Sequence, residues 1–177
     1  MLEIVEATAS DLDDVLAVER LAFGQEDEAD LVRELIGDPT AHPLLSLLAR
    51  DGGHTVGHIL FTAARIENGA HNISASMLAP LAVVPEAQRQ GVGGRLIERG
   101  VELLANSGVA LVFVAGHPEY YPRHGFVPAY PHGLPAPYLV SPEEAWMVRA
   151  LTPHALGLVR GRVVCAEAMD RPEYWVE

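Results

Sequence analysis

The stretch LAVVPEAQRQGVGGRLIERG, residues 81–100, places a glycine-rich turn between a segment of strand character and one of helix character. A helix N-terminus exposes free backbone N–H groups with a partial positive charge, and it therefore favours an anion. Glycine lets that anion approach the backbone closely because it has no Cβ atom. The turn from Gln88 to Gly94 is predicted to bind a phosphate or diphosphate. Arg89 within the turn and Arg95 directly after it add positive charge.

Two familiar phosphate-binding loops do not fit this turn. A dinucleotide-binding turn needs the order G-x-G-x-x-G and an acidic residue about 20 positions downstream. Here the order is G-V-G-G-R-L-I, and the strand segment VALVFVAG ends without that acid. A Walker loop needs G-K-S or G-K-T, and the sequence has neither. A turn that only joins a strand to a helix stays open as an alternative.

The composition limits the classes of protein that this chain can represent. Its 177 residues, 49% of them hydrophobic, suffice for one domain with a substantial core. A net charge of -12 argues against general binding of nucleic acid or anionic membranes, because both need a positive surface. Cys165 is the only cysteine, and neither a leader-like N-terminus nor an apolar run of about 20 residues is recognisable. We therefore expect a cytoplasmic protein with no nucleic acid or membrane partner.

The hydrophobic pattern predicts a mixed α/β domain in the order β-α-α-β-β-β-α-β-α-β-β. Helices are predicted at residues 26–36 and 92–106, and an earlier helix takes Ser10 as its N-cap. Two glycines after Asp51 predict a hairpin. Pro80 lies inside the strand SMLAPLAVV, and because proline cannot donate to the ladder, that strand should be bulged near it.

Other polar side chains suit less specific roles. His54 and His58 lie four residues apart on a predicted strand and should share one face, but without a third ligand at metal spacing no metal site is predicted. Glu19 supplies a polar position within the apolar stripe of the first helix. The acidic segment 26–30 is predicted to be a solvated helix start with a modest capacity to attract a cation.

Two segments resemble the GCN5-related N-acetyltransferase (GNAT) superfamily. The segment LAVVPEAQRQGVGGRLI is similar to its acyl-CoA-binding motif, Gln/Arg-x-x-Gly-x-Gly/Ala, which follows a bulged central strand and opens a long helix. The downstream segment YYPRHGF is similar to the family's aromatic-Tyr-x-Lys/Arg-x-Gly-Phe pattern. The combination of GHPEYYPRHGF with EEAWMVRAL most resembles the YhbS-like branch. The resemblance covers roughly residues 2–151.

The resemblance implies an α/β (α+β) fold with a mixed, mostly antiparallel central sheet, splayed at a bulged strand and flanked by helices. Residues 1–151 would form the acetyltransferase domain. Residues 152–177 would form an extension that packs on this domain or on a neighbouring subunit, so a homodimer stays open. The implied reaction moves an acetyl group from acetyl-CoA to a primary amine by direct attack in a ternary complex. The acceptor would be a small-molecule amine or an amine of a peptide or protein, and the family's region corresponding to residues 26–30 often lines the acceptor pocket.

The resemblance also assigns roles to individual residues. Tyr121 would be the general acid that protonates the CoA thiolate, while the side chain of Tyr120 diverges from it and packs. By position alone, just past the strand VALVFVAG, His117 and Glu119 are candidates for the general base. The cofactor would be bound by a strand segment, whose backbone N–H groups stabilise the oxyanion, and by the glycine-rich turn: Leu81, Ala82, Val83, Gln88, Arg89, Gln90, Gly91, Val92, Gly93 and Gly94.

Two other functions stay open at this point. A degenerate member of the family would bind acyl-CoA as a sensor or structural element without catalysis, although a pure binder has no need of the proton donor Tyr121. A phosphate-binding module for nucleotides would instead prefer ATP or NAD over CoA. Binding assays with these ligands separate the three functions.

Overall fold

The computed structural model describes residues 1–67 and 73–175. Three α-helices and eight strands are present among these residues, with short 3₁₀ turns between them. The helices are α1 (Leu12–Phe23), α2 (Asp27–Ile36) and α3 (Val92–Asn106). The strands are β1 (Leu2–Glu6), β2 (Leu45–Asp51), β3 (His54–Ile66), β4 (Ala75–Val83), β5 (Leu111–Ala115), β6 (Val127–Pro128), β7 (Trp146–Ala150) and β8 (Val163–Val164).

The strands form one mixed sheet in the order β1-β2-β3-β4-β5-β7-β6, and β8 pairs with the end of β3. Neighbours are antiparallel except for β4 and β5, which run parallel. This parallel pair is short: only residues 75–77 of β4 pair with residues 111–113 of β5. Beyond these residues the two strands diverge, and the sheet is splayed as the family resemblance implies.

A bulge in β4 lies where the two strands begin to diverge. Opposite β3, Leu81 pairs with Ile59 and Leu78 pairs with Phe61, so β4 contains one extra residue between these pairs. The extra residue lies at Ala79–Pro80, where the missing N–H group of proline interrupts the ladder. The predicted bulge near Pro80 is therefore confirmed.

Two hydrophobic cores cover the two faces of the sheet. On one face, α3 buries an apolar stripe that includes Leu96, Ile97 and Val101. On the other face, α1 and α2 pack against the sheet. Successive strand residues alternate between the cores, since Leu47 belongs to the α3 core and Leu48 to the opposite one. The gap between β4 and β5 is therefore flanked by α3 on one face of the sheet and by α1 and α2 on the other.

Most of the predicted elements are confirmed, with differences at some ends. The fourth helix of the predicted order is wrong, because the segment between β5 and β6 forms only a 3₁₀ turn, Tyr121–His124. The helix 92–106 and the hairpin at Gly52–Gly53, where both glycines have positive φ, are as predicted. The Ser10 cap is wrong: Thr8 caps a 3₁₀ turn through a reciprocal bond with Asp11, and Ser10 lies inside that turn. The segment EEAWMVRAL is a strand only from Trp146, because its first residues form a 3₁₀ turn.

Residues 152–175 pack on the rest of the same chain. The carboxylate of Asp38, just after α2, accepts a hydrogen bond from the backbone N–H of Ala168 over 2.9 Å. The ring of Trp175 meets Trp146 of β7 edge to face, with centroids 5.7 Å apart. Trp146 in turn stacks on Phe113 of β5. Within residues 1–67 and 73–175, no helix has the length and apolar character needed to cross a membrane.

Candidate active site

A cleft of about 1090 Å³ opens where β4 and β5 diverge. One side is formed by the turn 87–94 before and at the start of α3, together with residues 120–124; we call it the glycine-turn side. Phe23 of α1 and Glu28 of α2 form the other side, which we call the α1–α2 side. The diverging strands supply the floor between them through residues 78–83 and 114–117.

The glycine-rich turn presents free backbone N–H groups to this cleft. Arg89 and Gly91 both adopt left-handed conformations, with φ of 63° and 82°. The first hydrogen bond of α3 runs from the N–H of Arg95 to the carbonyl of Gly91. The N–H groups of the residues between them, 92–94, therefore have no partner within the helix and sit at its positive end. This geometry suits an anionic group such as a diphosphate.

The two glutamines of the turn brace it through their side chains, and Gln90 is not among the described residues that line the cleft. The backbone N–H of Gln88 donates to the carbonyl of Pro85 over 3.3 Å, and its side chain donates to the carbonyl of Val83 over 3.0 Å. The Gln90 side chain donates to the carbonyl of Glu86 over 3.2 Å. The backbone amide of Gln88 therefore closes the preceding 3₁₀ turn, while the residue itself lines the cleft and its part in cofactor binding stays a prediction.

The free edge of β4 supplies a second set of backbone groups. The N–H of Val84 donates to the carbonyl of Val56 on β3 over 3.0 Å. Because hydrogen-bonded pairs alternate along an antiparallel ladder, the amide of Ala82 also faces β3, while those of Leu81 and Val83 face the cleft. Of the predicted oxyanion residues 81–83, Leu81 and Val83 therefore direct their amides to the cleft and Ala82 does not, and the oxyanion role itself stays a prediction.

The two family-like segments pack directly against each other at the first turn of α3. A Cβ atom at Gly93 would lie 2.5 Å from the hydroxyl oxygen of Tyr120. At Gly94 it would lie 2.8 Å from Cε1 of His124. Both glycines therefore make room for side chains of the segment 120–126, in addition to any role in admitting an anion.

Both tyrosines line the cleft, but their environments differ. Tyr121 is only 8% exposed; its ring contacts Gly116 and meets Phe126 edge to face. Burial raises the pKa of Tyr121 well above its usual range, so the phenol keeps its proton at neutral pH. Tyr120 is half-buried, packs edge to face on Tyr121 and places its hydroxyl over Gly93, so it does more than the packing predicted for it.

The two candidates for the general base are separated by the structure. His117 follows β5, and its side chain is exposed and lines the cleft. Its carbonyl also accepts the backbone N–H groups of Tyr120 and Tyr121, which fixes the start of the tyrosine segment. Glu119 is exposed and is not one of the described residues that line the cleft. Of these two candidates His117 lines the cleft and Glu119 does not, and the general-base role stays a prediction.

The α1–α2 side carries a carboxylate that the sequence did not distinguish from its acidic neighbours. Glu28 belongs to the acidic segment 26–30, yet it lines the cleft and is partly buried. The side-chain amide of Gln25 donates to both Glu28 oxygens, over 3.1 and 3.3 Å, and so holds the carboxylate in one orientation. Phe23, the last residue of α1, lines the same side of the cleft and exposes 42% of its surface.

A buried polar chain lies between α1 and the sheet. His58 Nδ1 is hydrogen-bonded to Glu19 Oε2 over 2.6 Å, and Nε2 to the Ser46 hydroxyl over 2.8 Å. Glu19 and His58 are fully buried, and burial raises the pKa of Glu19. Although this order resembles a hydrolytic triad, Ser46 is itself buried and none of the three residues lines the cleft. The chain therefore has no surface at which to receive a substrate.

The outcome for His54 and His58 differs from the prediction that they share a face. β3 bulges opposite Ala49 and Arg50, so the alternation of faces shifts by one residue between the two histidines. His54 is exposed and His58 is buried. In the part of the chain that the structure describes, no group of three His, Cys, Asp or Glu side chains is placed to hold a metal ion.

Comparison with known proteins places this geometry in one family. A family model described as an acetyltransferase (GNAT) domain matches residues 3–129. The chain is 51% identical over 162 residues to the uncharacterized N-acetyltransferase YjhQ of Escherichia coli K12, covering 89% of this chain and 88% of that protein.

Two crystal structures of relatives contain the cofactor that the resemblance implies. The GNAT family N-acetyltransferase YhbS from Escherichia coli, in complex with CoA, superposes with a TM-score of 0.88 at 30% identity, covering 96% of this chain and 92% of that one. A GNAT family acetyltransferase from Brucella melitensis, in complex with acetyl-CoA, has a TM-score of 0.76 at 27% identity, covering 96% and 99%. The splayed sheet, the glycine turn at α3 and these relatives together show that the chain belongs to the GNAT acetyltransferase family, in its YhbS-like branch.

Proposed function

We propose that this protein transfers an acetyl group from acetyl-CoA to a primary amine by direct attack within a ternary complex. The observation that carries the proposal is one cleft that contains the free N–H groups of α3, the open edge of β4 and the protonated phenol of Tyr121. A protein that only stored the cofactor would need the first two features and not the third. Support also comes from relatives that are named N-acetyltransferases or were crystallised with CoA or acetyl-CoA.

Cofactor binding would use the glycine-turn side. The diphosphate accepts hydrogen bonds from the N–H groups of Val92, Gly93 and Gly94, and the guanidinium groups of Arg89 and Arg123 add positive charge at this side of the cleft. The pantetheine arm runs along the free edge of β4 and the thioester oxygen accepts from the N–H of Leu81 or Val83.

The chemical step then needs two proton movements. The nitrogen of the amine bonds to the acetyl carbon, the charge on the oxygen is stabilised by the β4 amides, and the carbon–sulfur bond breaks. Tyr121 donates its proton to the departing thiolate, and the tyrosinate so formed is reprotonated, through water, by the second proton that the attacking nitrogen loses as the amide forms. His117 takes the proton that the acceptor ammonium must lose before attack. Overall, one acceptor ammonium group and one acetyl-CoA give one amide, one CoA thiol and one released proton.

Direct attack is favoured over an acetylated enzyme because the cleft offers no protein thiol. Burial raises the pKa of Cys165 to about 11, so the thiol is protonated at neutral pH, and it does not line the cleft. All twelve basic residues are arginine, so lysine acetylation does not complicate a mass measurement. After incubation with acetyl-CoA alone, we expect intact-mass spectra without acetyl on an internal residue. An internal acetylated residue that turns over with amine would contradict direct attack.

The experiment that tests the proposal measures release of CoA thiol from acetyl-CoA across a panel of primary amines, with mass detection of the acetylated amine. Amine-dependent thiol release that matches product formation is expected. A protein that binds acetyl-CoA but releases no thiol with any amine would instead be the non-catalytic acyl-CoA binder. The Tyr121→Phe variant provides the matched control, because it removes one hydroxyl and should slow transfer while leaving acetyl-CoA binding intact.

A further inference from the structure

The α1–α2 side of the cleft has a charge opposite to that of the glycine-turn side. Among the described residues that line the cleft, Glu28 is the only acid, whereas Arg89 and Arg123 lie with the helix N-terminus on the glycine-turn side. These two positive groups match the phosphates of the proposed cofactor. A molecule that enters from the α1–α2 side therefore meets a negative group first.

The Glu28 carboxylate has no cationic partner in the described structure. The nearby arginines are engaged by other acids: Arg20 pairs with Glu26 over 2.8 Å, and Arg33 pairs with Asp30 over 3.5 Å. Gln25 fixes the carboxylate by donating to both of its oxygens but does not neutralise it. Each oxygen can still accept a further hydrogen bond from a ligand.

The surroundings of Glu28 strengthen its preference for a cation. Phe23 exposes its ring on the same side of the cleft, and the face of an aromatic ring attracts a cation. A carboxylate and an exposed ring on the same side of one cleft suit an ammonium or guanidinium group.

The cation that binds there is not the nitrogen that is acetylated. That nitrogen must lose its proton before it attacks the thioester, and a carboxylate beside it would favour the protonated form. Building on the proposed function, we infer that Glu28 and Phe23 select an acceptor that carries a second positive charge, such as a diamine. Glu28 holds this second cationic group on the α1–α2 side while the other nitrogen reaches the thioester at β4.

Two primary amines with the same five-carbon stem test this inference. Cadaverine has a second ammonium group and pentylamine does not, so the ratio of their kcat/KM values isolates the effect of that charge. The wild-type enzyme should prefer cadaverine by about tenfold or more, equivalent to at least about 1.4 kcal/mol. The Glu28→Gln variant should reduce the ratio to within about twofold, mainly through KM for cadaverine, and raised salt should reduce it in the wild type.

Asp27→Asn is the matched control, because it removes one negative charge from the same first turn of α2 at a residue that does not line the cleft. It should keep the wild-type ratio. A wild-type ratio near one, or a preference that survives in Glu28→Gln, would overturn the inference; absence of transfer to both amines would overturn it as well. Calorimetric binding of acetyl-CoA separates these failures from failure of the proposed function, since Glu28→Gln should leave that affinity unchanged.

Discussion

The glycine-turn side and the α1–α2 side of the cleft are built in different ways. The glycine-turn side comes from one continuous run, residues 81–126, in which a strand, a turn, a helix and a tyrosine segment follow each other. The α1–α2 side uses residues from the first 30 positions, brought to the cleft by packing of two helices on the opposite face of the sheet. Chemistry encoded in one run of sequence is therefore easier to identify than chemistry assembled by distant packing.

The chemical demands on the two sides also differ. In the proposed function, the glycine-turn side would bind an invariant cofactor through backbone N–H groups that the turn geometry holds. The α1–α2 side would discriminate between acceptors through two side chains that line the cleft, Phe23 and Glu28. Substitutions on the glycine-turn side should therefore change cofactor affinity or the chemical step, and those on the α1–α2 side should change acceptor choice.

The largest effect is expected from the hydroxyl of Tyr121. Loss of a general acid reduces turnover by about 10²- to 10⁴-fold, and Tyr121→Phe should reduce kcat within that range. Acetyl-CoA affinity should change little, because the ring remains packed against Phe126 and Gly116. Steady-state kinetics and calorimetry on the same preparation check both statements. An unchanged kcat would assign the proton donor elsewhere, with Tyr120 as the next residue to test.

A large effect on stability is expected at the buried polar chain of Glu19, His58 and Ser46. Glu19→Ala leaves the Nδ1 atom of His58 buried without its partner, and removal of one member of a buried pair costs about 3–5 kcal/mol. Replacing Glu19 and His58 by leucine and Ser46 by alanine should recover most of that loss, since the triple variant leaves none of these three side chains with an unpaired polar group. Chemical denaturation measures both values. If the free energy of unfolding falls by less than about 1 kcal/mol in the single variant, these hydrogen-bonded side chains do not hold α1 on the sheet.

The same pair gives a pH dependence with a defined sign. Burial raises the pKa of Glu19 in the folded state, so the folded protein binds this proton more tightly than the unfolded chain. The free energy of unfolding of the wild type should therefore fall relative to Glu19→Gln as the pH rises above the ordinary carboxyl range. Denaturation curves of both proteins between acidic and neutral pH provide the comparison. A difference that stays constant with pH would contradict the assigned direction.

An intermediate effect should appear where the two family-like segments touch. In Gly93→Ala the new methyl group meets the Tyr120 hydroxyl, so the ring must move into the cleft. We expect the Kd of acetyl-CoA to rise about tenfold, equivalent to about 1.4 kcal/mol. Adding Tyr120→Phe should restore affinity, because ring atom Cζ of residue 120 lies 3.7 Å from the new Cβ atom, an ordinary contact distance. Failure of this rescue would mean that Gly93 acts only through the approach of the anion.

The smallest effect is expected for Tyr120→Phe by itself. The ring keeps its edge-to-face contact with Tyr121 and its packing on His124, and only the hydroxyl over Gly93 is lost. One hydrogen-bonding group contributes about 1 kcal/mol, so kcat and the Kd of acetyl-CoA should each change less than about fivefold. A decrease in kcat comparable to that of Tyr121→Phe would give the two tyrosines joint roles in proton transfer.

The sequence was sufficient where local patterns determine the structure. Pro80 predicted the bulge of β4, two glycines predicted the β2–β3 hairpin, and the apolar stripe of 92–106 predicted α3. It failed where the outcome depends on geometry between distant segments. Glu19, Ser46 and His58 are separated by up to 39 residues, and nothing near any of them reveals the shared hydrogen bonds.

Two details of the site depended on registers that no local pattern reveals. The direction of the Ala82 amide follows from its pairing with β3, and the separation of His54 from His58 follows from a bulge opposite Ala49. Glu28 was indistinguishable in sequence from the other acids of 26–30, because only the packing of α2 turns this one side chain into the cleft. A register shift of one residue moves a strand side chain to the opposite face of the sheet. The packing of a helix likewise determines which of its turns faces a cleft.

The most direct test of the central claim is a calorimetric titration of the wild-type protein with acetyl-CoA, CoA, ATP and NAD under the same conditions. If the glycine turn holds the diphosphate and the β4 edge holds pantetheine, acetyl-CoA and CoA should bind with one site per chain and more tightly than ATP or NAD. Gly93→Ala should weaken that binding, and Glu28→Gln should leave it unchanged. No binding of acetyl-CoA, or a preference for ATP or NAD, would contradict the account.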